Sequence, residues 1–255
     1  MANFWLMKAE PDSRIVKGKD VKFSVDDFEA CGETAWEGVR NFEARNIMRD
    51  RMKIGDKVLF YHSNTKVPGV AGLAEISKEA YADYTAWDDQ TTCQGRLLKH
   101  RLLQKTDQAN PKWFMVSVRF QKRLPHLVPL HLLKFIKDQK KLPDVLQYLD
   151  DDARAAISEM QLLNRGRLSV QSVTEGAYNA VAILGEKGGW ESIIDEKGKL
   201  VKAPKAKDAH SNDESQKPAT KSANSRKRKK LTETEEEPEV ATKSTRRSQR
   251  RKKED

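Results

Sequence analysis

Four short stretches hold the side chains best suited to grip a flat or anionic ligand. In the first, Trp36 precedes Arg40 and Asn41. An indole ring stacks on planar heterocycles, and it is equally at home in a core. Arg40 offers a planar fork of donors for phosphate or a base edge, or for a surface salt bridge. Asn41 presents both donor and acceptor, as base readout requires, and also suits the cap of the helix that follows. The second stretch, Tyr61-His62-Ser63, ends an apolar run; alternation puts Tyr61 and Ser63 on one face and His62 on the other. Ser63 suits a base edge, while His62 suits either a general base or a structural role. In the third, Lys8 and Glu10 share a strand face, at a pocket mouth or as an intrastrand ion pair. The fourth holds Arg167, whose charge suits a phosphate, then Ser169 and Gln171 on a face opposite Leu168 and Val170, which read as core.

Other chemistries find little support. The histidines at 62, 100, 126, 131 and 210 form no HxxxH or HExxH pair, and Cys31 and Cys93 stand far apart, so nothing has zinc-ligand spacing. No phosphate-binding glycine loop follows a strand, and GEKGG at 185–189 reads as a helix stop. No GxSxG elbow is present. Glu10, His62 and Ser63 are the sole polar set that suggests an enzyme acting on a nucleotide. The expectation is a binding protein with no catalytic residues, no metal and no cofactor.

The elements that must position these groups follow from hydrophobic pattern. NFWLMK, stopped at Pro11, reads as a buried strand. Ser24, with Asp27 three residues on, opens the helix SVDDFEAC. NFEARNIMRDRM forms a helix in which Phe42, Ala44, Ile47, Met48 and Met52 share an apolar face. KVLFYHS and VPGVAGLAEISKEAY read as strands, with Gly69 and Gly72 marking close backbone approach or a bulge. WFMVSVRFQKRL alternates, placing Phe114, Val116, Val118 and Phe120 together. Pro129 starts a helix carrying Leu132, Leu133 and Ile136, and LDDDARAAISEMQLL gives another, capped by an aspartate. RLSVQSV is a short strand, and Thr174 opens a final helix. Without βα alternation this order predicts an α+β mixed barrel with surrounding helices, not a doubly wound sheet.

The chain has 255 residues and a net charge of +10. From Lys202 to Asp255 there are 17 basic and 10 acidic residues, leaving only +3 on the preceding part. Residues 201–255 are poor in bulky apolar side chains, which predicts disorder. Within them SRKRKK at 225–230 and RRSQRRKK at 246–253 suit binding by a nuclear import receptor. Residues 1–200 form the expected folded domain. Two cysteines far apart in sequence, with no CxxC spacing, fit a reducing compartment, the N-terminus reads as a strand rather than a signal peptide, and no apolar run is long enough for a membrane span.

WLMKAEPDS at 5–13, WEGVRNFEARN at 36–46, GDKVLFYHSN at 55–64 with PGVAGLAEI at 68–76, and RLSVQSV at 167–173 together resemble the EVE domain of the PUA-like superfamily. Two positions depart from its signatures: Ala9 stands where serine is usual, and Ser172 where proline is common. The resemblance implies a small barrel with a pocket for a modified nucleobase. The expected ligand is a modified cytosine in DNA, with a modified base in RNA as the alternative. It also moves Trp36 from the core reading to the pocket. The implied base or nucleic-acid contacts are Lys8, Glu10, Trp36, Arg40, Asn41, Tyr61, His62, Ser63, Arg167, Ser169 and Gln171, in a nuclear protein.

Overall fold

The structure is a computed structural model, and residues 2–16, 19–87, 108–193 and 195 are described. The elements are β1 (Phe4–Ala9), β2 (Ile15–Val16), β3 (Lys19–Asp20), α1 (Val25–Cys31), β4 (Glu33–Ala35), α2 (Phe42–Asp50), β5 (Lys57–His62), β6 (Gly69–Ala82), β7 (Phe114–Pro129), α3 (Leu130–Asp138), α4 (Asp151–Ser158), β8 (Val170–Val173) and α5 (Glu175–Lys187). Six strands form a mixed sheet in the order β4-β7-β6-β5-β1-β8, in which only β1 and β5 are parallel. β2 and β3 form a separate two-stranded ribbon.

Side-chain alternation splits the sheet between two cores. Trp5 and Met7 of β1, with Val58 and Phe60 of β5, pack on α1 and α2. Leu6, Leu59 and Tyr61 face the opposite way, toward α3, α4 and α5. Because both faces are covered, the central strands read as unbroken apolar runs rather than as alternating ones.

Local signals set the helix ends as expected. Ser24 and Asp27 make a reciprocal capping box on α1, Asp150 caps α4, Thr174 caps α5, and Pro129 precedes α3. The parallel β1–β5 register depends on Asp56, which is 2% exposed. Its carboxylate accepts from the Asn3 backbone N–H at 2.8 Å, Trp5 Nε1 at 2.8 Å and the Lys53 N–H at 2.9 Å. That ties the turn before β5 to the start of β1.

Two expectations are corrected. Phe42 does not join the buried face of α2; it is the first helical residue, 58% exposed, and lies outside against Trp113. The helix expected over 149–163 ends at Ser158, and a separate 3-10 turn covers Gln161–Leu163. β4 and the small β2–β3 ribbon were not foreseen. The tail at 201–255, with its two basic clusters, lies outside the described residues, as do Cys93, His100 and His210.

Gly72 sits at a shift in the β6–β7 register, and Gly69 marks the close approach: a Cβ there would meet the Val128 carbonyl oxygen at 2.6 Å and Pro129 Cα at 2.8 Å. Both neighbours are backbone and cannot swing aside. Gly69→Ala is therefore expected to destabilise the fold by about 1–3 kcal/mol. Urea denaturation of the full chain checks this, and an unchanged midpoint would disprove it.

Candidate nucleic-acid interface

The parallel pairing of β1 and β5 sets Lys8 beside Tyr61 and Ala9 beside His62. On the other side of β1, the Lys8 backbone N–H donates to the Ser169 carbonyl at 3.0 Å, just ahead of β8. Two strand ends and one strand start thus meet at one edge of the fold. The Lys8 ammonium donates to the Gly166 carbonyl at 2.8 Å and lies 5.6 Å from the Tyr61 ring centroid. Partial burial pushes its pKa down to about 8.

Next to this junction is an open cavity of about 370 Å³, lined by Asn41, Glu43, Asn164, Arg165, Gly166, Arg167 and Leu168. It brings together residues from the WEGVRN and RLSVQ motifs, more than a hundred positions apart. Arg167 is exposed on its rim. Asn41 Oδ1 accepts from the N–H groups of Glu43 and Ala44 at 2.9 and 3.0 Å, so it caps α2 while lining the cavity. Capping uses the oxygen, and the exposed amide nitrogen remains available to a ligand. Glu43 grips Arg165 through two contacts of 2.6 Å.

Other expected contacts occupy different positions. Arg40 does not extend freely toward a phosphate. Its Nη1 donates to Asp83 at 2.6 Å and its guanidinium lies 5.4 Å from the Trp113 ring centroid. Asp83 is fully buried and also accepts from the Gly38 N–H at 3.0 Å, which pins the loop between β4 and α2. Trp36 is 8% exposed and packs nearly perpendicular to Phe23 and Phe60, so the ring is buried in the core. Tyr61, 3% exposed, belongs to the core, and burial pushes its phenol up to about 12.

Gln171, on the face expected from alternation, is 1% exposed. Its Nε2 donates to the carbonyls of Arg165 and Leu168 at 2.7 and 3.1 Å, shaping the turn that lines the cavity. Leu168 and Val170 are core residues, as alternation predicts. Ser169 is half-buried and contributes its backbone carbonyl to Lys8.

Glu10, His62 and Ser63 make no hydrogen bonds to one another. Glu10 pairs with Arg14 at 2.6 Å rather than with Lys8, and accepts from Asn64 at 3.3 Å. Ser63 Oγ donates to the Ala9 carbonyl at 3.0 Å. His62 Nε2 accepts from the Val25 N–H at 3.0 Å and so caps α1. Burial lowers its pKa against the opposing pull of Asp26 and Asp12, favouring the neutral ring that accepts this bond. Among the described residues no group of three metal-ligand side chains is assembled, and no helix is long and apolar enough to cross a membrane.

Residues 3–184 match the EVE domain. The chain belongs to the EVE-domain family. Human thymocyte nuclear protein 1 is 39% identical over 189 residues, covering 73% of this chain and 76% of the relative. The zebrafish protein of that name is 40% identical over 182 residues, 71% of each chain. Among solved structures, human THYN1 protein in complex with 5-methylcytosine-containing DNA superposes with a TM-score of 0.58 at 39% identity, covering 73% of this chain and 99% of that one. A hypothetical protein from Leishmania major gives 0.55 at 36%, covering 72% and 95%.

Sequence reasoning missed three parts of this EVE-domain site: Asp83, the Asn164–Gly166 turn and Trp113. Asp83 carries a local signal, since it precedes Tyr84-Thr85 and accepts from the Thr85 N–H at 3.0 Å. The other two are recognisable only once β7 and β8 are placed.

Lys8 yields a pH test. Its folded pKa lies below the ordinary value of 10.5. Below about pH 8 both folded and unfolded chains hold the proton, and the cost of the partly buried charge is fully present. Between about 8 and 10.5 the unfolded chain binds more protons, so stability contributed at this site rises with pH. The stability of wild type relative to Lys8→Met should therefore increase from pH 7.5 to pH 10 in urea titrations. A constant difference would refute the assignment.

Proposed function

We propose that this protein is a non-catalytic reader of DNA carrying a modified cytosine, and that its EVE domain takes the base into the cavity between Asn41 and Arg167. The observation that carries the reading is the convergence of two family motifs on that cavity, in a chain 39% identical to a relative solved with 5-methylcytosine-containing DNA. The cavity is open, and its volume of about 370 Å³ leaves room for one extruded base. Extrusion costs stacking energy, recovered through contacts to the base and its edge. In this reading Asn41 offers its amide nitrogen to the base edge, and Lys8 and Arg167 hold flanking phosphates. Ser169 and Gln171 hold the turn beside the cavity, Tyr61 and Trp36 belong to the cores beneath, Arg40 holds the loop, and Glu10, His62 and Ser63 fix the adjoining strand ends.

Binding of the full chain to matched oligonucleotides bearing cytosine, 5-methylcytosine or 5-hydroxymethylcytosine, as DNA and RNA, tests this. A modified DNA strand should be preferred without turnover. Arg167→Ala should weaken all DNA strands and lower the salt slope by about one. Equal affinity across the panel would sink the reading, and preference for modified RNA would transfer it to RNA.

Nuclear residence belongs to the same proposal. It is supported by the name of the vertebrate relatives and by the basic clusters at 225–230 and 246–253. Replacing the basic residues of both clusters with alanine should move a fluorescent fusion of the full chain out of the nucleus. Unchanged nuclear accumulation would remove the import role.

A further inference from the structure

Phe42 is the sole aromatic among the exposed large apolar residues described, at 58%. It follows Asn41 and precedes Glu43, both of which line the cavity. Its ring stacks on Trp113, with centroids 5.0 Å apart and planes 23° from parallel, and Trp113 is 4% exposed. The indole therefore backs the phenyl ring from the protein side.

The Arg45 guanidinium lies 5.0 Å from the Phe42 centroid and 5.8 Å from the Trp113 centroid. With the rings themselves 5.0 Å apart, the three groups form a nearly equilateral triangle. Arg45 is therefore not directly opposite Trp113 across the phenyl ring, and Phe42 keeps its 58% exposure with the guanidinium in place.

The charge around this ring is suited to a polyanion. Arg45 donates to the Lys112 carbonyl at 2.7 Å and to the Asn46 amide oxygen at 2.7 and 3.0 Å, which are neutral acceptors. Its positive charge is not spent in a carboxylate hydrogen bond. Arg49, one turn further along α2, lies 5.7 Å from the Phe114 ring and pairs with its neighbour Asp50 at 2.6 Å. Exposed ion pairs of this kind contribute little and can exchange partners. Glu43, the nearest carboxylate on the helix, is engaged by Arg165. A backed aromatic face with arginines alongside has the composition of a stacking platform for nucleic acid.

We propose that Phe42 stacks an unpaired nucleotide adjacent to the base held in the cavity, with Arg45 and Arg49 contacting its phosphates. This rests on the base-site reading of the cavity. It adds a second contact to the same strand, since Asn41 and Phe42 are consecutive and their Cα atoms lie about 3.8 Å apart. The added occupant is an unstacked neighbouring base, and its recognition is independent of the modification.

The test measures binding of the full chain, at fixed salt, to a single-stranded oligonucleotide containing one 5-methylcytosine. Its flanking nucleotides are left intact or made abasic one at a time. Phe42→Ala should weaken binding to the intact strand roughly five- to a hundredfold, and Phe42→Trp should restore it. One abasic neighbour should weaken wild type by a similar factor and leave Phe42→Ala unaffected further, as coupled partners do in a double-mutant cycle. If the abasic penalty is the same in wild type and Phe42→Ala, the ring only shields Trp113 and the platform is overturned. Preference for 5-methylcytosine over cytosine, read in parallel, separates the two proposals: its absence in wild type sinks the cavity reading while the abasic comparison still judges Phe42. A wild type that binds neither strand overturns both.

Discussion

The buried carboxylate of Asp83 is the constraint on which the candidate interface depends. It follows the long strand β6 and has no solvent exposure. A charge in that position is tolerated only when it is well paired and hydrogen-bonded. Here the partner residues are Arg40 through its guanidinium, Gly38 through its N–H, and Thr85 through both its N–H and its hydroxyl. Two of the three lie in the loop leading to α2, so satisfying the carboxylate also fixes that loop. Gly38 meets the demand with a positive φ of 76°, a region that side chains disfavour. The loop's other end is tied by Trp36, whose N–H donates to the Val116 carbonyl at 2.8 Å. Asn41 and Phe42 consequently leave the loop from a position set by β6 and β7.

This arrangement explains why WEGVRN is a demanding motif without every residue in it touching a ligand. Trp36 fills the core, Gly38 permits the turn, Arg40 neutralises Asp83, and Asn41 closes the helix start. Past Gly38, the exposed side chains are those at the far end, Asn41 and Phe42. A similar economy governs the RLSVQ segment. Buried Gln171 donates twice to the preceding turn, and the backbone it holds presents Arg165 and Arg167 outward. In both motifs a buried polar group shapes a short backbone segment and leaves its neighbours exposed.

That division also marks what could be read directly from sequence. Ser24 with Asp27, Asn41, Pro129 and Thr174 all announced their helix starts, because each cap acts within about three residues of itself. Strands β1, β5, β6, β7 and β8 are legible from their apolar runs, whereas the short β2, β3 and β4 carry no such run. Arg40 and Asp83, by contrast, are 43 residues apart, and nothing local to either reveals the partner. Phe42 was assigned to a buried face by helical spacing, which describes a helix interior better than its first residue. Gln171 obeyed alternation, but both faces of β8 are covered near its start, so the polar side of the strand was not a solvent side. Spacing gave the face correctly and could not give its exposure.

Charge distribution supplies the remaining step. Residues before Lys202 carry only +3, and many of the described arginines are matched with carboxylates, as in Arg123 with Asp26 and Glu29, Arg119 with Glu33, and Arg165 with Glu43. A nearly balanced surface exerts little long-range pull on a polyanion, so in the proposed reading discrimination by the EVE domain comes from shape and short-range contacts. The +7 carried from Lys202 onward is suited to the complementary task, sequence-independent attraction that weakens with salt. Keeping the two apart lets general affinity be set without altering the cavity. A strongly basic cavity surface would hold any strand, modified or not, and the energy difference between them would be a smaller part of binding.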